Sequence, residues 1–322
     1  MSAAPPVSIC LTTYNRGSVL PASIDSLLAQ DFGDFELIVS DDCSPDDTER
    51  ICRAYEARDP RVRYFRNATN LRMPGNLNAA IARSRGRYVA NLHDGDVFRP
   101  DLIGKWKAAL DERPRAAFVF NQYRALDARG EARIARSPLE ERHDPLEIAR
   151  HFFRTFTSCV WGTVMARREA YAETAPFDPA YGFISDVDMW LRLARDHDVA
   201  YVAEPLITLT PREPHHPYAF VHWRVWSWTL SMYLAHLEYY RERLPAEVAR
   251  FRASYPRRRR ELLLRDMLIC VKHRRWDRLS EGLAIWRDDA DPVLRGLGRA
   301  VGSPRNLPEW YAASSWQRTS LA

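Results

Sequence analysis

Residues 88–101 read YVANLHDGDVFRPD: an apolar run, YVANL, that stops at two carboxylates, Asp94 and Asp96, on either side of Gly95. Carboxylates held that close repel each other unless a proton or a cation sits between them. The pair has an ordinary explanation too, a turn made by Gly95 with an Asp capping a helix that begins near Pro100. The sequence on either side bears on the choice.

Upstream, short β-rich runs alternate with amphipathic segments, the mark of βαβ units around a mostly parallel sheet. VSICLTTY (7–14), FELIVSDD (35–42) and VRYFRN (62–67) read as strands that precede YVANL. VLPASIDSLLAQ (19–30), DDTERICRAYEARD (46–59) and GNLNAAIARSR (75–85) have apolar residues at helical spacing. Downstream, PDLIGKWKAALDERP (100–114) predicts a helix with a proline in its first turn, and AAFVFNQYRAL (116–126) another strand. Thr12, Thr13, Tyr14 and Asn15 follow the first strand, Asp41 and Asp42 the second, Asp94 and Asp96 the fourth. Open parallel sheets bind ligands outside the carboxyl ends of their strands. Three such ends carrying acids and hydroxyls predict one nucleotide-sized site. Asp41 and Asp42 have a plainer reading as turn residues, with Asp46 or Asp47 capping the next helix.

Composition narrows the class. With 322 residues, 46% hydrophobic and 28% charged, the chain can bury one large α/β domain and an appendage. The net charge of +5 comes almost wholly from arginine, since lysine occurs only at Lys105, Lys107 and Lys272. Arginine pairs bidentately with phosphate, so a phosphorylated partner is permitted, and a nucleic-acid partner is not expected. Five cysteines without CxxC spacing read as reduced thiols of a cytoplasmic protein. No basic n-region with an apolar stretch opens the chain, and no window reaches the roughly 18–20 apolar residues of a membrane span. Peripheral contact at the inner face of the membrane is left open.

Between 128 and 160 the pattern loosens, and ARGEARIARSPLEERHDP reads as an exposed excursion. DVDMWLRLARDHD (186–198) reads as a helix opened by an acid, and taken alone Asp186 is its cap. Beyond about 220 the sequence is rich in Trp, Arg and Leu with helix-length segments, so residues 1–219 are expected to form the catalytic domain and 220–322 a helical C-terminal region. The aromatic segment YAFVHWRVWSWTLSMYLAHLEYY (218–240) is expected to be buried, against the catalytic domain or in a homo-oligomer, with an interfacial membrane helix as the alternative. RRRR (257–260) reads as a solvated helix face or a contact for anionic lipid.

VSICLTTYNR, DFELIVSDDCSPDDT, NLRMPGNLNAAIARSRGRYVANLHDGDVFRPD and SDVDMWLRLA stand in an order and spacing that resembles family 2 glycosyltransferases, over about residues 5–212. The resemblance implies the GT-A fold, a Rossmann-like α/β/α sandwich, and transfer of a sugar from a nucleotide donor with inversion at the anomeric carbon. It places Thr12 and Tyr14 beside the nucleoside, Asp42 on a pyrimidine N3 with Asp41 next to it, and Arg72 in the same pocket. Asp94 and Asp96 resemble the DxD acids that hold Mn²⁺ or Mg²⁺ on the donor diphosphate, which leaves open how the two divide the ligand duty. His215 or His216 would touch the metal or diphosphate, Trp161 and Gly162 would line the donor sugar and acceptor, and Asp186 would be the general base. The implied partners are a UDP-sugar, with dTDP or GDP as alternatives, and a glycan, lipid-linked saccharide or natural-product acceptor. The chain departs from the family pattern at Ser185, where many relatives have Glu, and at His93 and Gly95, where many have further acids. Those departures motivate an alternative, a non-catalytic nucleotide-sugar or glycan-binding protein on a transferase scaffold. A Rossmann oxidoreductase lacks its GxGxxG fingerprint here.

Overall fold

The computed structural model describes residues 4–127, 129–135, 137, 144–155, 158–160, 162–210, 223–287 and 291–301. From the start of the chain, strands and helices alternate: β1 (Val7–Thr13), α1 (Leu20–Leu28), β2 (Phe35–Asp41), α2 (Thr48–Arg58), β3 (Val62–Arg66), α3 (Arg72–Arg83) and β4 (Tyr88–His93). A two-residue β5 (Val97–Phe98) and α4 (Leu102–Glu112) follow, then β6 (Ala116–Leu126), β7 (Ala132–Ala135), α5 (Pro145–Thr155), β8 (Val164–Arg167) and α6 (Arg168–Ala172). A 3₁₀ turn (Pro179–Ile184) leads into α7 (Ser185–Asp196) and β9 (Asp198–Leu209).

The strands form one sheet in the order β3-β2-β1-β4-β8-β6-β9-β5, with β7 on β6. β3, β2, β1 and β4 are mutually parallel, and β6 is parallel to β9. β8 is antiparallel to both β4 and β6 and joins the two parallel sets. The Asp41–Asp42 and Asp94–Asp96 strands are therefore not neighbours; they flank β1, where Thr13 pairs with Asp41 and Thr12 with His93.

β1 and β2 are buried almost end to end, as strands covered on both faces must be. Val7, Ile9 and Leu11 share one face and join Leu20, Ile24 and Leu27 of α1 and Trp106 and Leu110 of α4 in one core cluster. Fixing β1 between β2 and β4 carries its last residues to the middle of the carboxyl edge.

Two local expectations are revised. Pro100 precedes α4 rather than lying in its first turn, because its carbonyl accepts the Asp31 N–H (2.8 Å) and the first helical bond runs from Lys105 N to Asp101 O. Asp101 occupies the N-cap position, so neither Asp94 nor Asp96 caps this helix. The excursion after 128 contains β7 and, further on, α5.

The chain divides into two compact units, residues 1–216 with 228–244, and 217–227 with 245–322; the boundary expected at about 220 lies outside the described residues. Within the first unit, the part of α8 (Trp223–Tyr240) from residue 228 onward brings His236 to α7, where its Nε2 lies 3.0 Å from Asp188 Oδ1. Within the second, α9 (Pro245–Lys272), α10 (Trp276–Trp286) and α11 (Pro292–Val301) share a cluster of Leu263, Cys270, Leu279, Leu283, Trp286 and Leu294. Of the arginine run, Arg257 and Arg258 pair with Glu261, and Arg260 with Asp291 (2.7 Å). Among the described residues no helix is long and apolar enough to cross a membrane.

Candidate active site

The carboxyl edge is built around the end of β1. The Thr13 hydroxyl donates to Asp94 Oδ2 (2.7 Å), and the Thr13 carbonyl accepts the Asp42 N–H (3.0 Å). One threonine thus links the two acid clusters that flank its strand. Tyr14, the next residue, is 46% exposed and free to lie against a planar ligand. Thr12 is half-buried in register with Ser40 and His93.

Adjacent residues at a strand end point to opposite faces, and Asp41 and Asp42 accordingly differ. Asp41 is wholly buried: it accepts from Tyr64 Oη (2.6 Å) and Ser44 N (2.9 Å) and has Arg66 Nε at 3.5 Å. These bonds brace the loop that follows β2. Asp42 Oδ1 accepts the Leu71 N–H (2.8 Å) and Asn67 Nδ2 (3.1 Å), and so fixes the segment that delivers Arg72. Arg72 opens α3 exposed, at φ +62, a left-handed conformation that non-glycine residues seldom hold.

The turn at Asp94–Asp96 depends on Gly95, whose φ of +82 suits glycine. Ser23 of α1 holds it by accepting the Gly95 N–H (2.9 Å) and donating to the Asp96 carbonyl (2.7 Å). Thr210 donates to the Gly95 carbonyl. Arg16 Nε stands 3.9 Å from Asp94 Oδ1. Sequence reasoning placed Thr13 at this edge without its bond to Asp94, and passed over Arg16 and Ser23 as site builders, although Arg16 lies inside the TTYNR motif.

Gly162 joins this edge to α7. Asn91 Nδ2 on β4 donates to the Gly162 carbonyl (2.6 Å), which draws the glycine alongside β4. A Cβ at 162 would lie 2.4 Å from His93 Cε1 and 2.8 Å from Asp186 Oδ2, so the end of the acid strand and the first turn of α7 meet over a residue without a side chain. Gly162→Ala is expected to lower kcat about 100-fold, since a shift near 1 Å in a reacting group costs that much, with a stability loss of about 1–3 kcal/mol beside it. Steady-state kinetics and thermal unfolding would read the two effects, and an unchanged kcat would mean that His93 and Asp186 give way freely.

Asp186 does not act as a conventional cap: its Oδ1 accepts the adjacent Val187 N–H (2.8 Å). Burial of the carboxyl is the main influence on it and pushes its pKa up to about 7, against the lowering effect of the backbone N–H groups of Val187 and of Asp186 itself. Asp188, two residues on, accepts from Arg192 Nε (2.8 Å) and His236; burial opposes its ionisation, but the His236 and Arg192 contacts hold its pKa below the usual value. One helix therefore presents a carboxyl whose ionisation burial opposes and another that its neighbours hold in the charged form. Trp161, His215 and His216 lie outside the described residues.

Among the described residues, no group of three or more His, Cys, Asp or Glu side chains is arranged to hold a metal ion. Two carboxylates at a strand end are nonetheless a suitable oxygen donor set for Mg²⁺ or Mn²⁺ where substrate phosphates and water complete the shell. Asp94 and Asp96 fit that pattern.

A sheet with a parallel half and an inserted antiparallel strand, with acids at its carboxyl edge, is a fold of the GT-A type. The family model "Glycosyl transferase family 2" matches residues 8–174, more than half of the chain, and the chain belongs to that family. It is 31% identical over 197 residues to EpsE of Bacillus subtilis (strain 168), covering 60% of this chain and 68% of that protein. The fold is similar to S. aureus TarS 1–349 in complex with UDP-GlcNAc (TM-score 0.59, 19% identity, 71% of this chain and 65% of that one). It is also similar to the mannosyltransferase PcManGT from Pyrobaculum calidifontis in complex with GDP-Man and Mn²⁺ (TM-score 0.56, 15% identity, 97% and 83%). The chain thus spans a little under two thirds of the TarS fragment.

Proposed function

We propose that residues 1–219 form an inverting glycosyltransferase domain that moves a sugar from a nucleoside-diphosphate donor, a UDP-sugar in the first place, to an acceptor hydroxyl. The observation that carries this reading is the junction at Gly162, where Asp186, its pKa raised, meets His93 at the end of β4, next to the turn of Asp94 and Asp96. The nucleotide sugars in TarS and PcManGT support a nucleotide-sugar donor, and Mn²⁺ in PcManGT supports a divalent cation.

In this reading the base stacks on Tyr14 and bonds Asp42, with Thr12 and Arg72 lining the nucleoside. Asp94 and Asp96 would hold Mn²⁺ or Mg²⁺, which when bound supplies Lewis-acid stabilisation of the departing diphosphate. Asp186 accepts the proton of the acceptor hydroxyl as its oxygen attacks the anomeric carbon from the side opposite the leaving group, inverting the configuration. Gly162 lines the space for sugar and acceptor. Asp41 and Asp188 hold the loop and the helix that carry their catalytic neighbours.

A thermal-shift series with UDP-, dTDP- and GDP-sugars tests the reading. At least one donor is expected to raise the melting temperature in Mn²⁺ by several degrees and to lose most of that shift in chelator. No shift with any of the three would remove the donor site.

A further inference from the structure

The segment Thr13–Tyr14–Asn15–Arg16 leaves β1 through a left-handed Asn15 (φ +54) and ends where the Arg16 carbonyl accepts the N–H groups of Val19 and Leu20 (both 3.1 Å). The backbone of Arg16 is thus fixed at the entry to α1. Its side chain is only 18% exposed. Nε is buried and makes no hydrogen bond, and the Asp94 carboxylate, at 3.9 Å, is beyond bonding reach. Nη2 occupies the space a side chain at 95 would need, 2.4 Å from the Cβ position of that residue. The guanidinium therefore lies against the Asp94–Gly95–Asp96 turn, its charge facing Asp94 and its buried Nε donor unspent. A buried donor left so is costly unless something else takes its hydrogen bond.

We infer that Arg16 is a diphosphate-binding residue and that Gly95 is the position that admits it. A planar guanidinium matches phosphate oxygens bidentately, and at this edge it would be a positive group beside two carboxylates that repel a diphosphate. Gly95 is then constrained twice, by its φ of +82 and by the guanidinium packed against it. The inference rests on the reading of this edge as a nucleoside-diphosphate site.

Calorimetric titration of the full chain with UDP, dTDP and GDP, and with the matching nucleosides, tests it in Mn²⁺ and in chelator. For the nucleotide that binds, Arg16→Gln is expected to weaken diphosphate affinity about tenfold or more, most strongly in chelator, and to leave nucleoside affinity unchanged. Arg16→Lys recovers part of the loss, keeping the charge but not the fork, and shows that the site still folds. Equal diphosphate affinity in wild type and Arg16→Gln would overturn the assignment, as would an equal loss of nucleoside affinity, which signals a collapsed base pocket. Where binding in chelator is too weak to read, the Mn²⁺ titrations decide. A wild type that binds no nucleoside diphosphate in Mn²⁺ overturns the donor-site reading and Arg16 with it; normal wild-type binding that Arg16→Gln leaves untouched overturns Arg16 alone.

Discussion

Asp186→Asn is expected to lower sugar transfer by about 10²–10⁴-fold while nucleotide-sugar binding persists, because the amide keeps the shape of the carboxylate and cannot take a proton. The effect has a pH signature. With a pKa of about 7, Asp186 is half-ionised near neutrality, so wild-type kcat should climb with pH to about 7 and level off above it. The variant's residual rate should lack that rise. Stability moves the opposite way. The folded-state pKa lies above the unfolded one, so from the ordinary carboxylate range up to about 7 the folded chain holds a proton that the unfolded chain has lost, and stability falls as pH rises through that window. Above pH 7 the burial of the ionised carboxylate costs on the order of a few kcal/mol, partly screened by the solvent that reaches the residue. Asp186→Asn should therefore melt higher than wild type at pH 8 and close to it at pH 4. A variant that transfers sugar at the wild-type rate, or melts lower at pH 8, would remove Asp186 from the role of base. Loss of activity joined to gain of stability is what distinguishes a strained functional carboxyl from a helix cap, whose removal destabilises.

The parts of the fold that could be read from sequence were those with a local period. The run from β1 to α4 alternates apolar segments with helical ones, and each strand ends where its polar residues begin, so Asp42, Asp94 and Asp96 could be assigned to one edge. β8 could not be read: VMAR is four residues long and antiparallel to both neighbours, and its place in the sheet depends on pairing with strands more than forty residues away. Neighbouring acids were equally hard to tell apart. Asp41 and Asp42 look interchangeable in SDDCS, and the alternation at the strand end, with Tyr64 and Arg66 on one side and Asn67 and Leu71 on the other, separates their duties. The contacts that build the site, Thr13 to Asp94, Ser23 to Gly95 and Asn91 to Gly162, each span more than seventy positions. Short polar residues carry no periodic signal for such contacts.

The Asp94–Asp96 pair yields a prediction of similar size to the first. Asp94→Asn and Asp96→Asn are each expected to cut transfer by about 10²–10³-fold, since the cation these carboxylates would hold contributes several kcal/mol to stabilising the leaving diphosphate. Size alone would not show that the acids act by holding a cation, because Asp94 also accepts from Thr13 and faces Arg16, and the Asp96 carbonyl is tied to Ser23. Non-additivity would show it. If the two acids and the cation work as a unit, chelator should cost the wild type about as much as either substitution and cost either variant little more. If the carboxylates only shape the turn, the losses from chelator and from substitution should multiply. Asp94→Asn should also carry a penalty that Asp96→Asn lacks, because it weakens the Thr13 bond that ties the end of β1 to β4, and thermal unfolding in the absence of nucleotide should show it as a drop of about 1 kcal/mol. Full activity in chelator, or multiplicative losses, would overturn the metal-holding role and leave Asp94 and Asp96 as the turn and its brace.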